Sequence, residues 1–252
     1  MEIPMSASDG ERPETPPHVK TLESLARKGC SIGDRFAPGS PEGREAIAYW
    51  FEVIQYADRM LNLACNDYYD LRHPKHYLWT GHAAFLVENI RPGERVLDIG
   101  CGASYYQQWM AQTAAEVVAV DINPDRVAQS IRNNTMPNLR FLTMDATREL
   151  PEGRFDVVVC SHVLEHLDDP VPLLTNLARH IPKIVVKVPA VDSTWYKLVR
   201  KDIGLFWMDD PDHRREYTLD LLREHLEAGG WTVASLVRGF DLRAIATSPA
   251  AG

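Results

Sequence analysis

The stretch Val96-Leu97-Asp98-Ile99-Gly100-Cys101-Gly102-Ala103-Ser104 constrains the fold more than any other. It begins as an apolar run of the kind that forms a buried strand, holds one acid within its end, and breaks into a glycine turn ahead of a helical pattern. Gly100 and Gly102 allow backbone angles closed to other residues, so the main chain can press against a ligand at the strand's carboxyl end. A dinucleotide loop would read Gly-x-Gly-x-x-Gly and hold pyrophosphate at a helix amino terminus, where a carboxylate repels it. Here Tyr105 stands in the third glycine's place and Asp98 lies two residues before Gly100. That pattern suits a cation, such as the α-amino group of a methionine moiety.

Strands and helices alternate from this point, which implies a parallel sheet covered on both faces. Glu116 to Asp121 reads as the second strand, and Asp121 at its end is placed to accept hydrogen bonds from ribose hydroxyls. Asn123 and Pro124 open a helix through about Asn134. Leu139 to Thr143 is the third strand and delivers Met144, Asp145 and Ala146. A fourth, Phe155 to Cys160, leads into Ser161-His162-Val163-Leu164-Glu165-His166. Pro172 to Ile181 then reads as a helix, Lys183 to Val188 as a fifth strand, Tyr217 to Ala228 as a helix closed by Gly229-Gly230, and Trp231 to Val237 with Phe240 to Thr247 as a pair of strands.

Residues Val96 to Gly102 resemble motif I of the class I S-adenosylmethionine-dependent methyltransferases, and the later segments match in order. Ser104 replaces the glycine that often closes that motif and can instead cap the following helix. The post-strand segment Ser161 to Pro170 is similar to that of the methyltransferase type 11 group. The resemblance covers roughly His82 to Thr247. It implies a Rossmann-like α/β fold with a seven-stranded, mostly parallel sheet and an antiparallel edge hairpin, to which the helical spacing upstream adds an N-terminal helical extension. It also implies S-adenosyl-L-methionine as cofactor, bound by Asp98, Gly100, Cys101, Gly102, Asp121, Ile122, Asp145, Ala146, Ser161 and His162, with Asp145 or its backbone reading the adenine amino group.

The rest of the chain reads as additions to that domain. Met1 to about Val19 is rich in Pro, Ser, Glu and Gly without apolar periodicity, so residues 1–42 are expected to be a disordered or irregular tail. Ile47, Trp50, Phe51, Ile54, Ala57, Leu61 and Ala64 recur at helical spacing and predict a long amphipathic helix, packed on the core or a partner chain or forming part of a lid. Asn66 to His76 is expected to form a turn before a second helix from about Lys75 to Asn89. These elements make residues 43–92 a helical cover, and 93–247 the methyltransferase domain. Tyr68, Tyr69 and His76 are candidate substrate contacts. Within 190–212, an interruption rich in aromatic residues, Trp195, Tyr196 and Trp207 are candidates for a substrate cover, against the alternative of a core helix or dimer contact.

His213 is the first candidate for a general base, with a side-chain pKa near neutrality and Asp209, Asp210 and Asp212 beside it to orient its ring. His162 is the second, and His76 and His82 are further alternatives. No metal is expected, although Asp209, Asp210, Asp212 and His213 could together hold a divalent cation. His162, Glu165 and His166 also spell the H-x-x-E-H pattern of a zinc peptidase, which needs both histidines on one helix.

The 252 residues, 45% of them hydrophobic, suffice for one good-sized core. A net charge of -8 argues against a phosphate-backbone binder, so nucleic acid is not an expected partner. No apolar run approaches the ~20 residues needed to cross a bilayer. Cys30, Cys65, Cys101 and Cys160 show no paired metal spacing and read as reduced thiols of a cytoplasmic protein. The expected reaction is methyl transfer to a small molecule, a sugar or natural-product hydroxyl or amine first and a phenol or quinone-type acceptor second. A homodimer is possible on this reading, and a non-catalytic S-adenosylmethionine-binding partner subunit is the third alternative.

Overall fold

The computed structural model describes residues 36–69 and 83–249. The expected tail up to residue 35, together with Cys30, His76 and His82, therefore lies outside the described residues. Two compact units divide at Arg59 and Met60. Helix α1 (Pro41–Tyr68) runs through that division. It starts where Ser40 Oγ accepts the Gly43 N–H at 3.1 Å, ahead of a proline whose missing donor costs nothing at a first turn. The expected turn at Asn66 is instead the end of this helix, because nothing between Ala64 and Tyr68 breaks it.

The larger unit carries α2 (Ala84–Glu88), β1 (Arg95–Ile99), α3 (Tyr106–Ala111), β2 (Glu116–Asp121), α4 (Pro124–Asn133), β3 (Leu139–Thr143), β4 (Val157–Ser161), a single 3-10 turn (Leu164–His166), α5 (Val171–His180), β5 (Lys183–Pro189), α6 (Trp195–Asp202), α7 (Leu219–Ala228), β6 (Thr232–Arg238) and β7 (Asp241–Thr247). The strands form one seven-stranded sheet in the order β3-β2-β1-β4-β5-β7-β6. β1 to β5 pair in parallel, while β7 runs antiparallel to both β5 and β6. The order reverses between β1 and β4, and in such a sheet the crevice beyond the carboxyl ends at the reversal is where ligands bind.

Burial on both faces explains the unbroken apolar strands. Leu97, Val118, Val158, Ile184 and Val186 face α5 and α7 through Leu174, Leu177, Leu222 and Leu226. Their neighbours Val96, Val117, Val157 and Val185 face Leu86, Tyr106 and Met110. Local signals set the helix ends. Asn123 Oδ1 accepts the N–H groups of Asp125 at 2.9 Å and Arg126 at 3.2 Å, and Thr218 Oγ1 accepts that of Leu221 at 3.1 Å. The Thr218 cap places the start of α7 at Leu219 rather than Tyr217. Tyr217, wholly buried, instead bridges Ala190 and extends the end of β5. Among the described residues no helix is long and apolar enough to cross a membrane.

Candidate active site

The glycine turn after β1 is clipped to β2. Gly100 and Cys101 both donate to the Val120 carbonyl, at 2.8 and 3.0 Å. Gly102 donates to Asp121 Oδ2 at 2.9 Å. Gly100 and Gly102 have φ of +69° and +57°, and a Cβ on Gly100 would lie 2.6 Å from a methyl of Val163. The turn's amides are thus already engaged and two acids stand beside it. A pyrophosphate would meet repulsion and few donors there, whereas a cationic group would meet acceptors.

Asp98 is wholly buried beneath the turn. Gln107 Nε2 donates to its Oδ2 at 2.9 Å, and its Oδ1 accepts no hydrogen bond from a described residue. Burial pushes its pKa up to about 7, with the Gln107 amide opposing the rise and the Asp121 charge adding to it. The expected cap at Ser104 is absent. Its hydroxyl donates to Gln107 Oε1 at 2.9 Å, and α3 begins without a side-chain cap. Ser104 thereby holds the Gln107 amide with its nitrogen toward Asp98.

Asp121 accepts the Asn123 N–H at 2.8 Å on Oδ1 besides the Gly102 bond on Oδ2, leaving lone pairs on both oxygens toward the crevice. Asp145 accepts from the Thr147 hydroxyl at 2.6 Å and its N–H at 3.0 Å. The Thr147 hydroxyl holds the Asp145 carboxyl below its ordinary pKa, slight burial opposing, with the Thr147 N–H and Arg148 adding to the lowering. These strand ends surround a cleft of about 510 Å³. Gly100, Asp121, Ile122, Asp145, Ala146 and His162 line it, joined by Val163, His166, Leu167, Leu173, Asp210 and Asp212 from the opposite side. Asp98 and Cys101 lie buried at the turn, Gly102 stands within it and Ser161 ends β4, and none of the four lines the cleft.

After β4 the chain turns through His162, which has φ +56°, a conformation few non-glycine residues adopt. Its N–H donates to the Lys187 carbonyl at 2.8 Å. The ring sits between two acids, Nδ1 at 3.1 Å from Glu165 Oε1 and Nε2 at 3.7 Å from Asp241 Oδ1. Lys187, wholly buried, pairs with Asp241 at 3.2 Å. Its pKa is lowered to about 8 by burial, against the Asp241 charge. Lys187 and Asp241 are absent from the sequence-based site because Lys187 falls inside an apolar strand and Asp241 begins one, where neither carries a motif. The peptidase pattern has no helix to stand on. His162 precedes the 3-10 turn, so the two histidines do not share a helical face.

The segment before α7 packs against that turn. Arg214 N donates to the Glu165 carbonyl at 2.8 Å, and Arg215 donates to the Leu167 carbonyl at 2.6 Å. His213 is buried, with its ring 4.8 Å from His166 and Nδ1 3.5 Å from Glu216 Oε1. Burial by itself would lower the His213 pKa, but Glu216, Glu165 and Asp210 together raise it. The buried Lys197 of α6 holds this segment, reaching Asp209 at 2.9 Å, the Ala190 carbonyl at 3.1 Å and also Glu216. His213 thus stands one side chain behind the cleft wall. Tyr68, Tyr69, Trp195, Tyr196 and Trp207 are not brought to the cleft. Trp195 is 73% exposed, and Trp207 lies 4.7 Å from the Lys201 ammonium.

A methyltransferase-domain family model matches residues 71–236, more than half of the chain. The chain belongs to that family, and its class is that of the class I S-adenosylmethionine-dependent methyltransferases, with S-adenosylmethionine as cofactor. Ubiquinone biosynthesis O-methyltransferase of Xanthomonas campestris pv. campestris is 33% identical over 91 residues, 34% of this chain and 38% of that protein. Its counterpart in Hahella chejuensis is 36% identical over 92 residues, 35% and 39% of the two chains. The chain thus spans about two fifths of the length of the curated relatives it matches. Two solved structures share the fold. An S-adenosylmethionine-dependent methyltransferase of Aquifex aeolicus superposes with a TM-score of 0.57 at 18% identity, over 70% of this chain and 94% of that one. Magnesium protoporphyrin IX methyltransferase of Synechocystis, with S-adenosylhomocysteine bound, gives 0.53 at 22% identity, over 66% and 80%.

Proposed function

We propose that this chain transfers the methyl group of S-adenosylmethionine to a hydroxyl of a phenol- or quinol-type small molecule. The observation that carries the reading is His162, which lines the cleft between two carboxylates and beside the apolar side chains of Val163 and Leu167. A hydroxyl acceptor needs a proton acceptor at the moment of transfer, and an imidazole serves near neutral pH. The relatives named as ubiquinone biosynthesis O-methyltransferases favour a phenolic hydroxyl over a sugar. A sugar hydroxyl is the second reading, supported by Asp210 and Asp212 at the cleft, which can accept hydrogen bonds from a polyol.

The cofactor supplies a methyl carbon already activated by a sulfonium. In this reading Asp98 supplies a carboxylate charge from beneath the turn for the cofactor's amino group, Asp121 accepts from the ribose hydroxyls, and Asp145 with Ala146 borders the adenine. His162 is the proton acceptor in this scheme, and Glu165 and Asp241, one beside each ring nitrogen, stabilise the resulting imidazolium. His213, first in line by sequence, is set back behind His166 and acts as a positioning residue in this scheme. Most of the acceleration then comes from holding nucleophile and methyl in line. Purified protein, labelled cofactor and a panel of catechols, hydroquinols and glycosides test the reading. Phenolic substrates are expected to carry the label, and labelling of glycosides alone would overturn it.

A further inference from the structure

We propose that Glu165, His166 and His213 form a site for one divalent transition-metal ion on the wall of the cleft. Each offers one ligand atom, and the three atoms lie within 4.8 Å of one another. They come from two segments 47 or more residues apart, pinned together by the 2.8 Å bond from Arg214 N to the Glu165 carbonyl. This inference concerns the residues themselves and does not depend on which acceptor is methylated.

A second observation points to a cation. Glu165 is completely buried, and neither of its carboxylate oxygens accepts a hydrogen bond from a described residue. His162 Nδ1, 3.1 Å from Oε1, gives it charge contact on one side and leaves Oε2 for another partner. A buried carboxylate in that condition is costly to maintain, and a metal ion relieves it. The neighbouring guanidinium groups do not compete. Arg215 is spent on the carbonyls of Leu167 and Asp168, and Arg214 reaches Asp168 at 3.0 Å.

The donor set decides the class of ion. Two imidazoles and one carboxylate suit zinc, cobalt or iron(II), whereas calcium and magnesium favour oxygen donors throughout. Metal–ligand lengths of about 2.0 to 2.2 Å place tetrahedral ligand atoms roughly 3.3 Å apart. The three atoms must therefore close by roughly 1.5 Å, which rotation of the exposed His166 ring can supply. Three protein ligands leave at least one coordination position open, and one of the three, His166, lines the cleft.

Titration of the tag-free, chelator-treated full chain with Co²⁺ tests the site. One equivalent is expected to raise visible d–d absorption, displaced by Zn²⁺. His166→Ala and His213→Gln should each weaken the Co²⁺ affinity at least ~10-fold, with Glu165→Gln doing the same. His166 is exposed, so its replacement leaves the fold intact, and adenosylhomocysteine binding by each variant confirms folding. His162→Asn should keep the absorption. Absence of a stoichiometric signal in the wild type, or a signal that survives both histidine replacements, would overturn the site. Labelling of phenols is measured separately, so failure here leaves the methylation reading standing, and the reverse.

Discussion

The two sides of the cleft are built differently. On one side Asp98, Asp121 and Asp145 come from successive strand–turn units, and each is held by partners from its own or the neighbouring unit: Gln107 of α3 for Asp98, Gly102 and Asn123 for Asp121, and Thr147 for Asp145. On the other, His162, Glu165, Lys187, Lys197, His213, Glu216 and Asp241 come from the post-β4 turn, β5, α6, the segment before α7 and the start of β7, and they meet as side chains of opposite charge type, all buried except the half-buried His162. A side assembled from neighbouring turns holds its shape while the other side is rebuilt. On the proposed function the cofactor belongs to the first side and the acceptor to the second, and this separability is open to direct attack.

The largest effect expected is on turnover. His162→Asn keeps a residue that tolerates positive φ and removes the proton acceptor, so kcat should fall by ~10²- to 10⁴-fold. Adenosylhomocysteine affinity should stay within a factor of about two, and steady-state kinetics beside calorimetry check both values. Equal losses in the two would break the comparison. Next in size is stability. Lys197→Met removes the cation from Glu216, which is buried, and leaving one partner of a buried pair unmatched costs about 3 to 5 kcal/mol. Chemical denaturation should show that loss, and a midpoint within error of wild type would mean that the pair is dispensable.

A third expectation concerns pH. Asp98 has a pKa raised to about 7 in the ligand-free fold, so its contribution to stability is full below its ordinary value and is lost as pH rises through 7. A cationic amino group facing it reverses the preference and favours the ionised form. Below pH 7 binding must therefore release a proton, and adenosylhomocysteine affinity should fall by up to about tenfold per unit from 7 to 5.5, then level off above 7. Calorimetry in buffers of different ionisation enthalpy reads the proton directly. The smallest effect is at Trp195, whose ring is largely exposed away from the cleft; Trp195→Ala should change stability by no more than about 0.5 kcal/mol and leave kcat/KM unaltered. A large rise in acceptor KM would restore α6 as a substrate cover.

The same contrast governs what could be read from the sequence. The succession of strands and helices and the acids at the strand ends were legible because period, glycine position and strand-end chemistry are local properties, while the edge hairpin came with the family resemblance and the order of strands in the sheet only with the structure. His162 was legible through its place after β4. Lys187, Asp241, Lys197 and Glu216 were not, since a charged residue in or beside an apolar run signals nothing until the fold shows its partner. Ser104 misled because a hydroxyl before a helix suggests a cap, whereas here a buried carboxylate needs an oriented Gln107. The aromatic residues of 190–212 misled through composition, which is blind to direction. His213 lay between these cases: its segment was found, but its depth behind His166 depends on tertiary packing.

Separability is tested most directly by titrating adenosylhomocysteine into wild type, Asp121→Ala and His162→Asn under one set of conditions. The account predicts that Asp121→Ala weakens binding by roughly 10- to 100-fold, as ribose hydroxyls lose their acceptor, while His162→Asn binds as wild type does. Wild-type affinity in Asp121→Ala, or a comparable loss in His162→Asn, would contradict it.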